Sequence, residues 1–201
     1  MPKKFLKQKN NMNKTAIILG WIAGWLLIPT WLAAQTTIAG VNFPSVLKTE
    51  KGELVINGGG VREKLWIDVY VAALYLLEKN KDPRKIIEAD QPMAVRLEIV
   101  SSMVNSDNMS EAVREGFEKS TRGNTSPLKD RIDAFIGVFS EPIKQKDVFE
   151  LVYIPDTGVK IYKNGAYKSV IRGLDFKKAL FGIWLGDQPV STSLKNGMLG
   201  N

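Results

Sequence analysis

Cysteine and histidine are both missing from the 201 residues. Without a thiol or an imidazole, Ser-His-Asp and Cys-His nucleophilic catalysis and the usual zinc sites are out of reach. A chain of this length must then hold together by packing, not disulfides, wherever it works, and it carries no cysteine for a lipid. Paired-carboxylate, HExxH-like and Asp-Gly calcium-loop motifs are missing too. No metal and no cofactor is therefore expected, and an enzyme here would have to work with carboxylate, lysine, tyrosine or arginine.

Residues 1–34 contain no acid. Lys3, Lys4, Lys7, Lys9 and Lys14 precede the apolar run AIILGWIAGWLLIPTWLAA, which has the order of a secretory signal: charged start, apolar core, small-residue end. Cleavage after Ala34 would leave a chain starting near Gln35. The alternative is an uncleaved membrane anchor, since Ala16–Ala34 approaches the roughly 20 residues that span a bilayer. Pro29 and the Ala33-Ala34-Gln35 junction favour cleavage, so the expectation is a signal over 1–34, one domain over 35–201, and a periplasmic or secreted location. Membrane contact is then expected only through the signal.

The whole chain has 28 basic and 21 acidic residues, a net +7. Setting aside the five lysines of the first segment leaves 23 against 21, a net +2. A protein living on nucleic-acid phosphates needs a strongly basic surface; no nucleic-acid partner is expected.

Residues 35–201 suffice for one domain with a sizeable core. TTIAGVNFPSVLKTEKGELVINGGG reads as two short strands joined by a turn. Val61–Leu77, rich in branched and aromatic residues, reads as one long central strand. DPRKIIEAD is a short capped helix, PMAVRLEIVS a strand, and SDNMSEAVREGFEKSTRGN an amphipathic helix with candidate caps Ser106 and Asp107, closing at Gly123. LKDRIDAFIGVFSE is a second helix stopped by Pro142. Residues 146–170 read as three strands with turns at Asp156–Gly158 and Asn164-Gly165. GLDFKKALFGIWLGDQPV is a helix capped by Asp175 and ended by Gly186, and STSLKNGMLG a last short one. This order defines an α+β domain on an antiparallel sheet.

NGGGVREKLW poses the functional question. A phosphate-binding glycine loop must feed a helix N-terminus, and this one feeds a strand with no GK[ST] after it. Two readings of Arg62 remain: a solvated strand end beside a glycine bulge, or a cation facing a cavity and binding an anionic group. Trp66 and Trp184 are candidates to line a cleft, although a buried tryptophan also serves as core. Lys64 and Asp68 form either a cross-strand pair or a solvated strand end.

GGGVREK, VYVAALYL, SEAVREGF and ALFGIWLGDQPVSTSLKNGML together resemble the chalcone isomerase-like family, in its bacterial secreted branch, from about Thr37 to Leu199. The resemblance implies an open-faced β-sandwich: a large antiparallel sheet with helices packed on one face and a ligand cleft between. Of the plant enzymes' catalytic set, the arginine falls on Arg62. The threonine falls at Tyr70, the helix tyrosine and asparagine at Met109 and Gly116, and the C-terminal hydroxyl at Ile183. Only the arginine is retained, and Met, Gly and Ile offer no side-chain donor for polarising a carbonyl. The resemblance then points to the fatty-acid-binding branch: an apolar cleft in which Arg62 and Tyr70 hold the carboxylate of an amphipathic acid. An isomerase or intramolecular lyase using Arg62 as electrophile and Tyr70 as acid, and a ligand-free scaffold, are the alternatives. Eight residues of straight strand span roughly 26 Å, so the pair can share one head group only if the chain turns or bulges at Arg-Glu-Lys.

Overall fold

The computed structural model describes Met1 and residues 34–201. The segment expected to act as a signal lies, apart from its two end residues, outside the described residues. The two strands expected before the glycines are four. β1 (Gln35–Ile38) and β2 (Val41–Pro44) form a separate ribbon, and β3 (Val46–Thr49) pairs with the 13-residue β4 (Gly52–Lys64). The first reversal, at Ala39-Gly40, uses positive φ values of 47° and 80°. An alanine gives no turn signal, which is why the sequence reads as a single strand there.

The expected long strand over Val61–Leu77 is corrected as well. Val61–Lys64 ends β4, the chain reverses through Leu65 and Trp66 with φ of 51° and 63°, and β5 (Ile67–Leu76) returns antiparallel. Asn-Gly is the favoured pair at such a turn, and holding two bulky residues in the left-handed region costs about 1 kcal/mol each. The ladder from Val55–Leu76 to Lys64–Ile67 outweighs that cost. β5 is central: Val71 to Tyr75 are wholly buried between β4 and β6 (Met93–Ile99). β7 (Val148–Ile154), β8 (Gly158–Lys163) and β9 (Ala166–Ile171) complete a seven-stranded sheet in sequence order, every neighbour antiparallel. Asn164-Gly165 makes the β8–β9 turn with φ of 53° and 79°.

Helices cover one face of this sheet. α1 (Pro83–Glu88) is capped by Asp82, whose side chain accepts from the Arg84 and Lys85 amides. α2 (Ser106–Ser120) is capped by Asn105 in a reciprocal box with Asn108, not by Ser106 or Asp107. α3 (Lys129–Gly137) continues into a short 3₁₀ turn before Pro142. α4 (Leu174–Leu185) starts from Gly173 at φ 107°, and Asp175, read from the sequence as its cap, lies in the first turn and grips Arg131 at 2.7 and 2.6 Å. α5 (Thr192–Met198) closes the chain. Leu74, Leu97 and Leu151 from the sheet pack with Phe117, Phe176 and Leu180 from the helices. On the opposite face the ribbon's Val41 and Phe43 cover Val71, Ala73 and Tyr75. Helices on one side and a two-stranded ribbon on the other make the open-faced α+β sandwich.

The glycine run is a packing platform, not a hinge. β4 passes through Gly58–Gly60 as strand, with its bulge at Asn57, where the register moves from Ile56–Tyr75 to Gly58–Leu74. A Cβ on Gly58 would stand 2.2 Å from the Gly197 carbonyl, and one on Gly197 2.4 Å from the Gly59 carbonyl. Only glycine on both sides lets α5 lie this close to the strand. The bulged Asn57 fastens the contact: its Nδ2 donates to the Met198 and Asn80 carbonyls at 2.8 and 2.9 Å, and its Oδ1 accepts from the Asn80 amide.

α4 is tied down by Lys177, which is fully buried. Its Nζ donates to the carbonyls of Ile86, Ile87 and Ala89 at 2.8 to 2.9 Å, at the C-terminal end of α1. The Tyr153 and Phe181 rings flank the ammonium at 5.5 and 5.4 Å. Burial pulls this lysine down to about 8, while three carbonyls and the negative end of α1 favour the charged form.

Candidate functional site

A cavity of ≈ 310 Å³ lies between the helix-covered face of the sheet and helices α2 and α4. That is the lower end of the range for small-molecule sites. Tyr70, Leu97 and Leu151 line it from the sheet, and Phe135 and Phe139 from α3 and the turn after it. α2 contributes Met109, Val113 and Gly116, and α4 contributes Leu180, Ile183 and Trp184. The charged lining residues, Arg62, Lys64, Glu115 and Lys119, and with them Asn108, stand at the solvent side. The chamber is apolar with a charged mouth.

The Leu65-Trp66 reversal supplies the turn that Arg62 and Tyr70 require. Arg62 lies directly opposite Tyr70 in the β4–β5 ladder, a position where Cβ atoms stand about 5 Å apart, instead of the roughly 26 Å of a straight strand. Between the pairs Arg62–Tyr70 and Glu63–Asp68 the register slips by one residue, leaving Val69 as a β-bulge. A bulge re-aims the side chains beside it, and here both Val69 and Tyr70 face the cavity.

Tyr70 is buried, and its oxygen accepts a hydrogen bond from Trp184 Nε1 at 3.0 Å. That bond leaves the phenolic proton available to a second partner, and no acceptor for it stands among the described residues. Burial pushes the phenol up to about 12, with Trp184 and the nearby positive charge of Arg62 acting the other way. Tyr70 is thus a hydrogen-bond donor throughout the physiological range. Arg62 is half-buried; one guanidinium N–H donates to the Glu63 carbonyl. Among the described residues no carboxylate lies within ion-pair distance of it. Glu115, the carboxylate on the lining, is occupied by Lys119 at 2.6 Å, which holds it below the usual carboxylate range, with Lys64 and Arg62 adding to the effect.

The other residues singled out in the sequence divide. Met109, Gly116 and Ile183 are on the lining. Gly116 has a packing reason: a Cβ there would stand 2.9 Å from Ile183 Cγ2, so glycine lets α2 and α4 close over the chamber. Trp66, expected to line the cleft, does not: it occupies the hairpin tip with 89% of its surface exposed. Trp184 both packs in the core and lines the cavity. The Lys119–Glu115 pair and the rim residues Leu65, Ile67 and Met103 were not singled out as site residues. An i, i+4 pair at the mouth looks like any solvated helix pair, and the rim depends on a turn that the sequence does not announce.

Tyr70 makes stability depend on alkaline pH. A tyrosine whose folded pKa lies above its ordinary 10.0 favours the folded state in full below pH 10 and gives that contribution up as pH climbs toward 12. Stability should therefore fall across this window in the parent chain, and the fall should be shallower in Tyr70→Phe. At neutral pH the same variant should lose about 1–2 kcal/mol, because Trp184 Nε1 is left without an acceptor. Urea unfolding at a series of pH values checks both; parallel profiles above pH 10 would remove the buried phenol from the account.

The Chalcone isomerase-like family model matches residues 35–200. No curated protein sequence matches the chain. Among solved structures, a fatty-acid binding protein of Arabidopsis thaliana superimposes with a TM-score of 0.66 at 17% identity, over 83% of this chain and 96% of that one. At that identity the likeness concerns the fold. With the match running across the seven-stranded sheet and the five α-helices of the described residues, the chain belongs to the chalcone isomerase-like family.

Proposed function

We propose that this protein binds a fatty acid or a similar amphipathic carboxylate without transforming it. The carrying observation is the Arg62–Tyr70 pair, a cation without an ion-pair partner among the described residues beside a phenol with a spare proton, set at the mouth of an apolar chamber. A guanidinium takes a carboxylate through two parallel hydrogen bonds and a phenol adds a third. The tail then lies inward against Leu97, Leu151, Leu180 and Ile183. The fatty-acid binding protein of Arabidopsis, which shares this fold, supports the same ligand class.

Chemistry is disfavoured on two grounds. General acid–base work needs a group titrating near the operating pH, and Tyr70 is held near 12. The positions where the resemblance puts the plant enzymes' donors carry Met109, Gly116 and Ile183, whose side chains donate nothing to a developing oxyanion. An isomerase using Arg62 and Tyr70 would have donors for a developing oxyanion but no unengaged base on the lining, where Glu115 is paired with Lys119.

Titration of the purified protein with a long-chain fatty acid tests the reading. Arg62→Ala should weaken binding about 10- to 100-fold, the worth of one or two charge-assisted hydrogen bonds, with Tm little changed because the guanidinium is half-buried and anchors no buried partner. Tyr70→Phe should weaken it less. Unchanged affinity in Arg62→Ala would sink the assignment of the head-group site.

The export reading stays a proposal that rests on residues 1–34: a carrier working in the periplasm or secreted. N-terminal sequencing of the protein recovered from cells should start near Gln35; a chain starting at Met1 and held in the membrane fraction would favour the anchor.

A further inference from the structure

The turn at Leu65-Trp66 is an odd choice of residues. At Asn164-Gly165 the same chain closes another hairpin in the left-handed region with the pair best suited to it. Between β4 and β5 it uses a leucine and a tryptophan, and both point into solvent, 76% and 89% exposed. Met103 is 64% exposed and Ile67 37%, and Leu65, Ile67 and Met103 all belong to the rim of the cavity. An apolar lip thus stands on the mouth of an apolar chamber.

The end of the sheet that carries this lip also carries exposed lysines. Lys64 flanks the turn. Lys144 and Lys146 stand on the loop whose Lys146 amide bonds the Ile99 carbonyl, and Ile99 is the β6 partner of Tyr70. Glu63 and Asp68 are the exposed acids of the hairpin, while Asp147 is taken up by Lys163 at 3.3 Å and Asn164 at 2.9 Å. With Arg62, the hairpin and this loop carry four cations to two unengaged acids; Glu98 beside Ile99 and Asp107 in the first turn of α2 bring the end near neutrality, so the lysines act as local contacts and not through a net field.

We propose that the Leu65-Trp66 tip and Met103 form a membrane-docking lip that seats the cavity mouth on an anionic lipid bilayer. With Ile67 beside it, a lip of four side chains is far smaller than the roughly 800 Å² per partner of a stable protein interface. It is the right size to dip into the head-group region, where tryptophan concentrates because its ring is apolar and its N–H polar. Flanking lysines meet anionic head groups there. The proposal rests on the carboxylate-binding reading, since an acid with a long apolar tail is stored in bilayers and a mouth held against one receives it without passage through water.

The chain contains no cysteine, so one introduced thiol reports from a single place. The full chain carrying Trp66→Cys, labelled with an environment-sensitive nitrobenzoxadiazole dye, is mixed with vesicles of phosphatidylcholine and phosphatidylglycerol. Tyr167→Cys, an exposed position on β9, is the control for vesicle binding through any other part of the chain. The label at 66 should brighten several-fold, shift to the blue and be quenched by spin-labelled lipid, while the label at 167 should not. The substitution Trp66→Gly removes the indole outside the cavity lining, keeps the rim residue Leu65, and suits the left-handed backbone at that position. It should leave fatty-acid affinity without vesicles within about twofold and slow vesicle-to-protein transfer roughly tenfold. A label at 66 that ignores vesicles, that responds no more than the one at 167, or that responds to cell extract freed of lipid and not to vesicles, overturns the proposal. Titration without vesicles reads acid binding separately, so a failure of that reading is seen apart from a failure of docking.

Discussion

The antiparallel return of β5 along β4 puts Arg62 beside Tyr70, and the character of the cavity follows from that pairing. The two residues are eight apart in sequence; in a continuous strand their side chains could serve no common ligand. The reversal at Leu65-Trp66 makes them cross-strand neighbours, and the bulge at Val69 turns the phenol into the chamber. A guanidinium placed on the solvent side of an apolar space, with the carboxylate on the lining, Glu115, already engaged by Lys119, suits an anion whose other end is apolar. The fold spends backbone strain at the turn to create this arrangement, and strain at a site edge commonly accompanies function.

The rest of the domain holds the opposite wall in place. α4 brings Ile183 and Trp184 to the cavity, and its first half is fixed by Arg131 on Asp175 and by Lys177 on the end of α1. Trp184 then orients Tyr70 by donating to its oxygen, so the helix positions the phenol that the hairpin supplies. α2 closes the third side through Gly116 against Ile183. α5, seated on the glycines of β4, braces the strand that carries Arg62. The glycine run therefore acts on the arginine at a distance, through packing, and not through a loop that binds ligand.

Much of this was legible in the sequence because it rests on local chemistry. The Asn164-Gly165 hairpin, the Asp82-Pro83 helix start, the alternation of β6 and the Gly186 stop of α4 each follow from one or two residues with a fixed backbone preference. The α+β class and the antiparallel sheet follow from their order. What escaped depends on partners distant in the chain. Leu65-Trp66 and Ala39-Gly40 turn where residue preference opposes or is silent, because the ladders on either side repay the cost. Asn105 displaces the two neighbouring candidate caps by sharing a reciprocal bond with Asn108, and Asp175 serves Arg131, 44 residues away. Within the site, Arg62 and Tyr70 were named from the sequence, yet their adjacency hung on a turn it did not mark. Trp66 was placed inside a strand for the same reason and proves to be outside the cavity.

The central claim is that Arg62, with Tyr70, takes the carboxylate of an amphipathic acid at the mouth of the chamber. Its most direct test is a ¹³C NMR titration of a fatty acid labelled at the carboxyl carbon and bound to the full chain. A carboxylate gripped by a guanidinium and a phenol should stay ionised well below the ordinary value of about 4.3 for an alkyl carboxyl group, and this depression should vanish in Arg62→Ala. A bound carboxyl that titrates at or above the ordinary value in the parent chain would mean that the head group lies in apolar surroundings away from Arg62, and would contradict the account.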